Sequence, residues 1–169
     1  MINFIESSMK FSFPKDRCFH IETSDTYRHL NTYEISSVEC VFTQEFNKKK
    51  TLVFLEAKTS TPNPNGPNQE KLEEFLKSMR CKYLHSLQMC YAILHKRHSF
   101  QEKLGTTLMS VLFDPQRICF VLVVKAYEAA WCVQMKDALA ITLKDILRIW
   151  DAEVIVLSEE MARESSIIV

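Results

Sequence analysis

The sequence predicts an α/β fold: a central mixed β-sheet flanked by helices. Three observations predict it. Two segments rich in β-formers, 36–43 and 51–59, are joined by a short polar link. A long amphipathic helical stretch follows them. An unbroken, β-branched apolar run at 118–124 then needs cover on both faces. At 169 residues the chain holds one domain with a real core and is too short for two comfortable ones, so 1–169 reads as a single domain.

Each element has its own signal. The link Gln44 to Lys50 has hairpin length, which makes 36–43 and 51–59 an antiparallel pair. Pro62 to Pro67, reading Pro-Asn-Pro-Asn-Gly-Pro, is a loop. Over about 68–97, Leu72, Leu76, Met79, Tyr83, Leu87, Cys90 and Leu94 recur three and four apart and predict one buried helical stripe. Asn68 is its candidate N-cap, with Glu70, Glu73 and Glu74 near the positive end of the helix dipole. Helical periodicity returns over 136–150 through Leu139, Leu143, Leu147 and Trp150, with Asp137 and Asp145 on the polar side. A last strand at 152–157 leads to Ser158, which caps a short turn of helix at 159–164.

Composition removes several classes. The 21 Lys and Arg balance the 21 Asp and Glu, so no global field pulls the chain toward nucleic acid or an anionic membrane, and an anionic ligand needs a local patch. The six cysteines are scattered without a CxxC pair and read as small buried hydrophobes of a reduced compartment. With no signal-peptide pattern and no apolar run of membrane-spanning length, the expected location is cytoplasmic. Only Gly66 and Gly105 occur, so neither phosphate-cradling glycine loop is present.

The chemistry-bearing residues lie on the first strand pair. Side chains alternate across a strand, so Phe54, Glu56 and Lys58 share a face while Val53, Leu55 and Ala57 take the other. A hairpin would bring Glu39, near the middle of the preceding strand, beside Glu56. Two converging carboxylates repel unless a proton or cation sits between them, and an all-oxygen site suits Mg2+ or Mn2+. Lys58 would then act on the attacking water or on developing charge. The plainer alternative is an exposed Glu39 and a Lys58 that marks where the strand meets solvent.

Glu39, then Glu56-Ala57-Lys58 after the lead-in Leu52-Val53-Phe54-Leu55, then a polar loop and a long helix, resembles the PD-(D/E)XK nuclease superfamily. The resemblance covers roughly residues 20–95. It implies a restriction-endonuclease-like fold and metal-dependent hydrolysis of phosphodiesters in nucleic acid, DNA ahead of RNA. It also implies Mg2+ or Mn2+ held by Glu39, Glu56 and the Ala57 carbonyl. Glu22, ahead of a short helix expected at 25–30, fills the place of an upstream glutamate and joins the catalytic and metal set. Glu39 stands where the family more often has Asp, and the 14 residues from Glu22 to Ser37 are few for a helix plus a further strand. Gln88 and Tyr91 invite comparison with the RecB-like branch, but their spacing of three differs from its usual four.

The alternative function is a catalytically inactive nuclease-fold adaptor or subunit that binds a protein partner. A small-molecule binding domain is a third. Lys48-Lys49-Lys50 reads as a solvated turn. Lys77, Arg80, Lys82, Lys96, Arg97 and His98 give the long helix a basic side and end. His95 and His98 read as a surface pair, Tyr27 and Tyr33 as rings able to stack on bases, and Tyr83, Trp131 and Trp150 as packing residues.

Overall fold

The computed structural model describes every residue except Asn47 and Gln101. Its main sheet has five strands in the order β3 (Cys18–Phe19), β4 (Cys40–Phe46), β5 (Lys49–Lys58), β6 (Arg117–Val124) and β7 (Ala152–Ser158). β3, β4 and β5 are antiparallel neighbours, whereas β5, β6 and β7 run parallel. This is the mixed sheet of an α/β protein. The expected link Gln44 to Lys50 is much shorter than drawn from sequence, because both strands extend into it. Asn47 itself lies outside the described residues.

Parallel neighbours need crossovers, and helices supply them. Between β5 and β6 run α2 (Gln69–Leu94) and α3 (Thr106–Phe113). Between β6 and β7 run α4 (Ala129–Thr142) and α5 (Lys144–Ile149). Because β5, β6 and β7 advance in one direction, crossovers of one hand put all four helices on one face. There Phe54, Phe120 and Val154 of the sheet meet Tyr83 and Leu87 of α2, Leu108 of α3, Leu139 of α4 and Ile146 of α5. α1 (Asp25–Leu30) packs beside α2. The opposite face, with Val53, Leu55, Cys119 and Val121, is covered by a separate hairpin of β1 (Ile2–Glu6) and β2 (Met9–Phe13). Ala162 of α6 (Glu159–Glu164) and the terminal Ile167 and Ile168 complete that layer.

The long helix starts as expected, with the Asn68 side chain accepting from the Lys71 N–H at 3.1 Å. It stops without glycine. Lys96 takes a positive φ of 52° and the Arg97 N–H reaches back to the Ala92 carbonyl at 2.9 Å, closing the last turn. Leu72, Met79, Tyr83, Leu87 and Cys90 are buried, and Leu76 and Leu94 partly so.

Other expectations need correction. The helix drawn over 136–150 begins at Ala129 and breaks at Leu143. The Thr142 hydroxyl bonds back to the Ala138 carbonyl, and Arg80 takes the Thr142 carbonyl at 3.1 Å while gripping Asp145 with both guanidinium ends. Arg80 is therefore a strut, not part of a free basic side. Trp150 is 38% exposed and stacks on Tyr91 at the rim. β1, β2, β3 and α3 have no counterpart in the sequence expectation.

Tyr83 is fully buried and its hydroxyl has no hydrogen-bond partner among the described residues. Tyr83→Phe is therefore expected to be neutral or stabilising by about 1 kcal/mol, since it removes an unsatisfied polar atom. Leu87→Ala, at the same packing layer, should cost ~2–5 kcal/mol. Denaturant melts of both variants check this, and a clear loss of stability in Tyr83→Phe contradicts it.

Candidate functional site

Period-two alternation sets the site on β5. Leu52 and Phe54 face the helices while Val53, Leu55 and Ala57 face the hairpin. Glu56 and Lys58 continue the helix-facing row, as the sequence indicated. Glu56 lies at the carboxyl end of a parallel strand, opposite Leu122 of β6, and is 0% exposed. Ligand sites of α/β sheets favour that end.

Glu39 arrives by another route than expected. It is not mid-strand but stands just ahead of β4, which starts at Cys40. Cys40 is the partner of Leu55, and the Glu39 N–H also donates to the Leu55 carbonyl at 3.0 Å. Two residues thus oppose one, the count of a β-bulge, and a bulge re-aims a side chain. The approach is held by α2, not by a strand. The Ser36 N–H donates to His85 Nδ1 at 3.2 Å and the Val38 N–H to Ser86 Oγ at 2.9 Å.

Glu22 sits in a 3-10 turn, Ile21–Thr23, directly before α1. The Ser24 side chain caps that helix by accepting from the Tyr27 N–H. Glu39 stands close enough to Glu56 and Glu22 to feel the charge of both. Of the residues named from sequence, Glu56 and Lys58 pair directly, and Glu39 and Glu22 are near enough for their charges to be felt.

One member was missed. Lys82 of α2, assigned from sequence to a basic helix side, points inward instead, and its Nζ lies 2.7 Å from Glu56 Oε1 and 4.0 Å from Glu22 Oε1. Lys58 pairs with the same Glu56 oxygen. A signal existed: Lys82 falls three after Met79 and four before Ser86, both buried, so helical spacing puts it at the edge of the buried stripe.

The electrostatics follow from burial. Removal from water pushes the Glu39 carboxyl up to about 9, with the Glu56 and Glu22 charges adding to it. Burial also raises Glu56, though Lys82 and Lys58 pull it back. Burial works against the Lys82 ammonium, but Glu56, Glu39 and Glu22 outweigh it and hold its pKa above the usual value. At neutral pH Glu39 therefore keeps its proton, while Lys58 and Lys82 both pair with Glu56 Oε1. Glu56 Oε2 is buried with no hydrogen-bond partner among the described residues.

Among the described residues, no three His, Cys, Asp or Glu side chains are grouped closely enough to hold a metal ion as they stand. The donor chemistry nevertheless fits a hard divalent cation. The acids are all oxygen donors, Glu56 Oε2 is unpartnered, and Glu39 holds a proton where a cation would serve. The Ala57 carbonyl already accepts from Ser7 Oγ at 3.1 Å, which leaves it one lone pair. That serine belongs to the β1–β2 turn, where Ser7 and Ser8 both take positive φ.

The remaining candidates lie elsewhere. Gln88 is exposed and Tyr91 stacks on Trp150, so neither has a place beside the carboxylates. Among the described residues no helix is long and apolar enough to cross a membrane. Compared with known proteins, the chain matches no family model, no curated protein and no solved structure.

The Glu39 shift has a pH consequence. Between about pH 4.5 and 9 the unfolded chain ionises Glu39 while the folded chain keeps its proton. Rising pH then favours unfolding, by up to ~1.4 kcal/mol per pH unit from this group. Glu39→Gln should flatten the fall in stability across that window. Parallel stability–pH curves for the two proteins would refute the shift.

Proposed function

We propose that the chain is a metal-dependent nuclease of the PD-(D/E)XK type, restriction-endonuclease-like in fold, that hydrolyses phosphodiester bonds in nucleic acid. The observation that carries this reading is the buried Glu56 paired with Lys58 at the carboxyl end of β5, with Glu39 close enough to feel the charges of Glu56 and Glu22. The order of elements supports it: a short helix, an antiparallel strand pair ending in Glu-x-Lys, a long helix, then a parallel strand. The reading treats 1–169 as one domain, with DNA the first substrate to test and RNA the second.

Glu39 and Glu56 would hold Mg2+ or Mn2+, with Glu22 and the free lone pair of the Ala57 carbonyl at the margin. Such an ion supplies an acidified bound water and neutralises phosphate charge. The rest falls to the chain. Lys58, whose side chain is 32% exposed, reaches solvent and orients the attacking water. Water oxygen bonds to phosphorus as the ester oxygen leaves and takes up a proton. Lys82, more deeply set, opposes the burial that favours a protonated Glu56 and balances the negative charge that builds on the phosphate.

A second reading is a catalytically silent subunit of the same fold that binds a protein partner. One observation favours it: two lysines already pair with Glu56 Oε1, as they would in a structural ion-pair network. Calorimetric titration with Mg2+ and Mn2+ separates the readings, because the silent subunit predicts no heat.

The decisive assay is Mg2+-dependent cleavage of single- and double-stranded DNA and RNA. Glu56→Gln and Lys58→Ala should each lower the rate about a hundredfold or more, with melting curves confirming that both variants fold. Unchanged cleavage in both would sink the assignment.

A further inference from the structure

Four rings lie in a row away from the carboxylates. His98 stands 6.5 Å from Phe100, Phe100 5.4 Å from His29, and His29 5.8 Å from Tyr33, centroid to centroid. The row is on the surface: Tyr33 is 65% and Phe100 37% exposed, and His29 is exposed as well. His29 and Tyr33 are four apart, so the helical turn that sets one ring sets the other. Phe100 comes from the segment after α2, and that segment is fixed. The Glu102 carboxylate accepts from the Thr26 N–H in the first turn of α1 at 2.7 Å.

A groove beside the rings is lined by two lysines, Lys96 and Lys103, against one acid, Glu102, whose carboxylate is engaged by the Thr26 N–H. Lys96, Arg97 and Lys103 are exposed, and none of them is in an ion pair among the described residues. Arg28 adds nothing, since Asp25 answers it at 3.5 Å. The groove measures about 620 Å3 and is lined also by Leu94, His98, Phe100 and Met109. Apolar rings with exposed area, flanked by free cations on a chain of zero net charge, match a ligand with alternating aromatic and anionic groups. Unpaired nucleotides have that pattern. A duplex hides its base faces in the stack.

We infer that His29, Tyr33 and Phe100, flanked by Lys96, Arg97 and Lys103, form a stacking platform for the bases of single-stranded nucleic acid. The inference rests on the nuclease reading in that it names the substrate form for the same site. Glu22 lies just ahead of α1 and Tyr33 just after it, and the six residues of that helix rise about 9 Å. A few nucleotides of extended strand cover such a length, so bases held on the platform would place a phosphate toward the carboxylates. The protein would then prefer single strands or frayed ends.

The test is binding in EDTA, where no hydrolysis occurs. The probes are a labelled oligothymidylate of about a dozen nucleotides, an abasic strand of equal length and a duplex. The wild type should bind oligothymidylate about tenfold or more tightly than the abasic strand or the duplex. Tyr33→Ala with Phe100→Leu should erase that preference while leaving the melting temperature and the residual, salt-dependent binding in place. Lys96→Ala with Arg97→Ala should weaken all three probes and lower the salt slope. Tyr33→Trp should retain the preference.

Equal affinity for oligothymidylate and abasic strand, no binding at all, or a preference that survives the ring substitutions each overturns the platform. Failure of the nuclease reading looks different: base-dependent binding that responds to the rings, with no cleavage of any substrate when Mg2+ is added. Conversely, Mg2+-dependent cleavage of duplex at an unchanged rate in the ring variant, with no base preference in EDTA, removes the platform and leaves the nuclease.

Discussion

A carboxylate with no exposed surface dominates this structure. Glu56 follows Leu52 and Phe54 in a strand row that ends at Lys58, and isolating an ionised carboxyl there would cost several kcal/mol after relaxation. The sequence answers with two cations from different elements: Lys58 from the same strand and Lys82 from the helix laid across it. α2 must therefore cross the sheet at one height, because Lys82 has to reach the same oxygen as Lys58. His85 and Ser86, one turn further on, then hold the segment that delivers Glu39. Satisfying one buried charge thus fixes where a helix sits and where a second acid arrives.

The same cluster is unbalanced in a way packing alone does not demand. A structural salt bridge would be better built with both carboxylate oxygens satisfied, yet Glu56 Oε2 has no partner among the described residues. A structural site would also gain little from a second carboxyl held protonated to about pH 9 beside the first. Displaced titration with specific charge partners marks a candidate for chemistry, although structural ion-pair networks displace titration as well. On the other face of β5, Ser7 Oγ donates to the Ala57 carbonyl from a turn in which Ser7 and Ser8 both take positive φ. Strain of that kind persists where the surroundings hold it.

How much of this the sequence reveals depends on whether the governing rule is local. Glu56 and Lys58 share a face because strand side chains alternate, and that follows from counting by two. The stripe of α2, the Asn68 and Ser158 caps and the buried run of β6 are equally local, and all are legible. Lys82 is not, because helical spacing places it on the border between stripe and solvent and only the Glu56 charge decides which way it turns. The bulge at Glu39 depends on which Leu55 oxygen bond it shares, a tertiary matter. The N-terminal hairpin carried a readable alternation through Met9, Phe11 and Phe13. What hides it is the turn, where Ser7 and Ser8 adopt the conformation usually announced by Asn-Gly.

Neutral net charge looks at first like an argument against a polyanionic substrate. The distribution of charge weakens that argument. The Arg80 cation is spent on Asp145, Arg117 on Glu153 and Arg163 on Glu159, while Lys58 and Lys82 are turned inward on Glu56. Several cations of a zero-sum chain are thus committed to the fold. The free ones at the end of α2 flank exposed rings, so the surface field there is set by local arrangement and not by the total. A protein organised this way would hold an anion, as the nuclease proposal requires, through position. A modest basic margin suffices when ring stacking carries part of the affinity, because each base gains from an apolar face that pays no salt penalty. Zero net charge is therefore compatible with nucleic acid if the strand is single. It fits duplex binding poorly, since that depends on neutralising many phosphates at once.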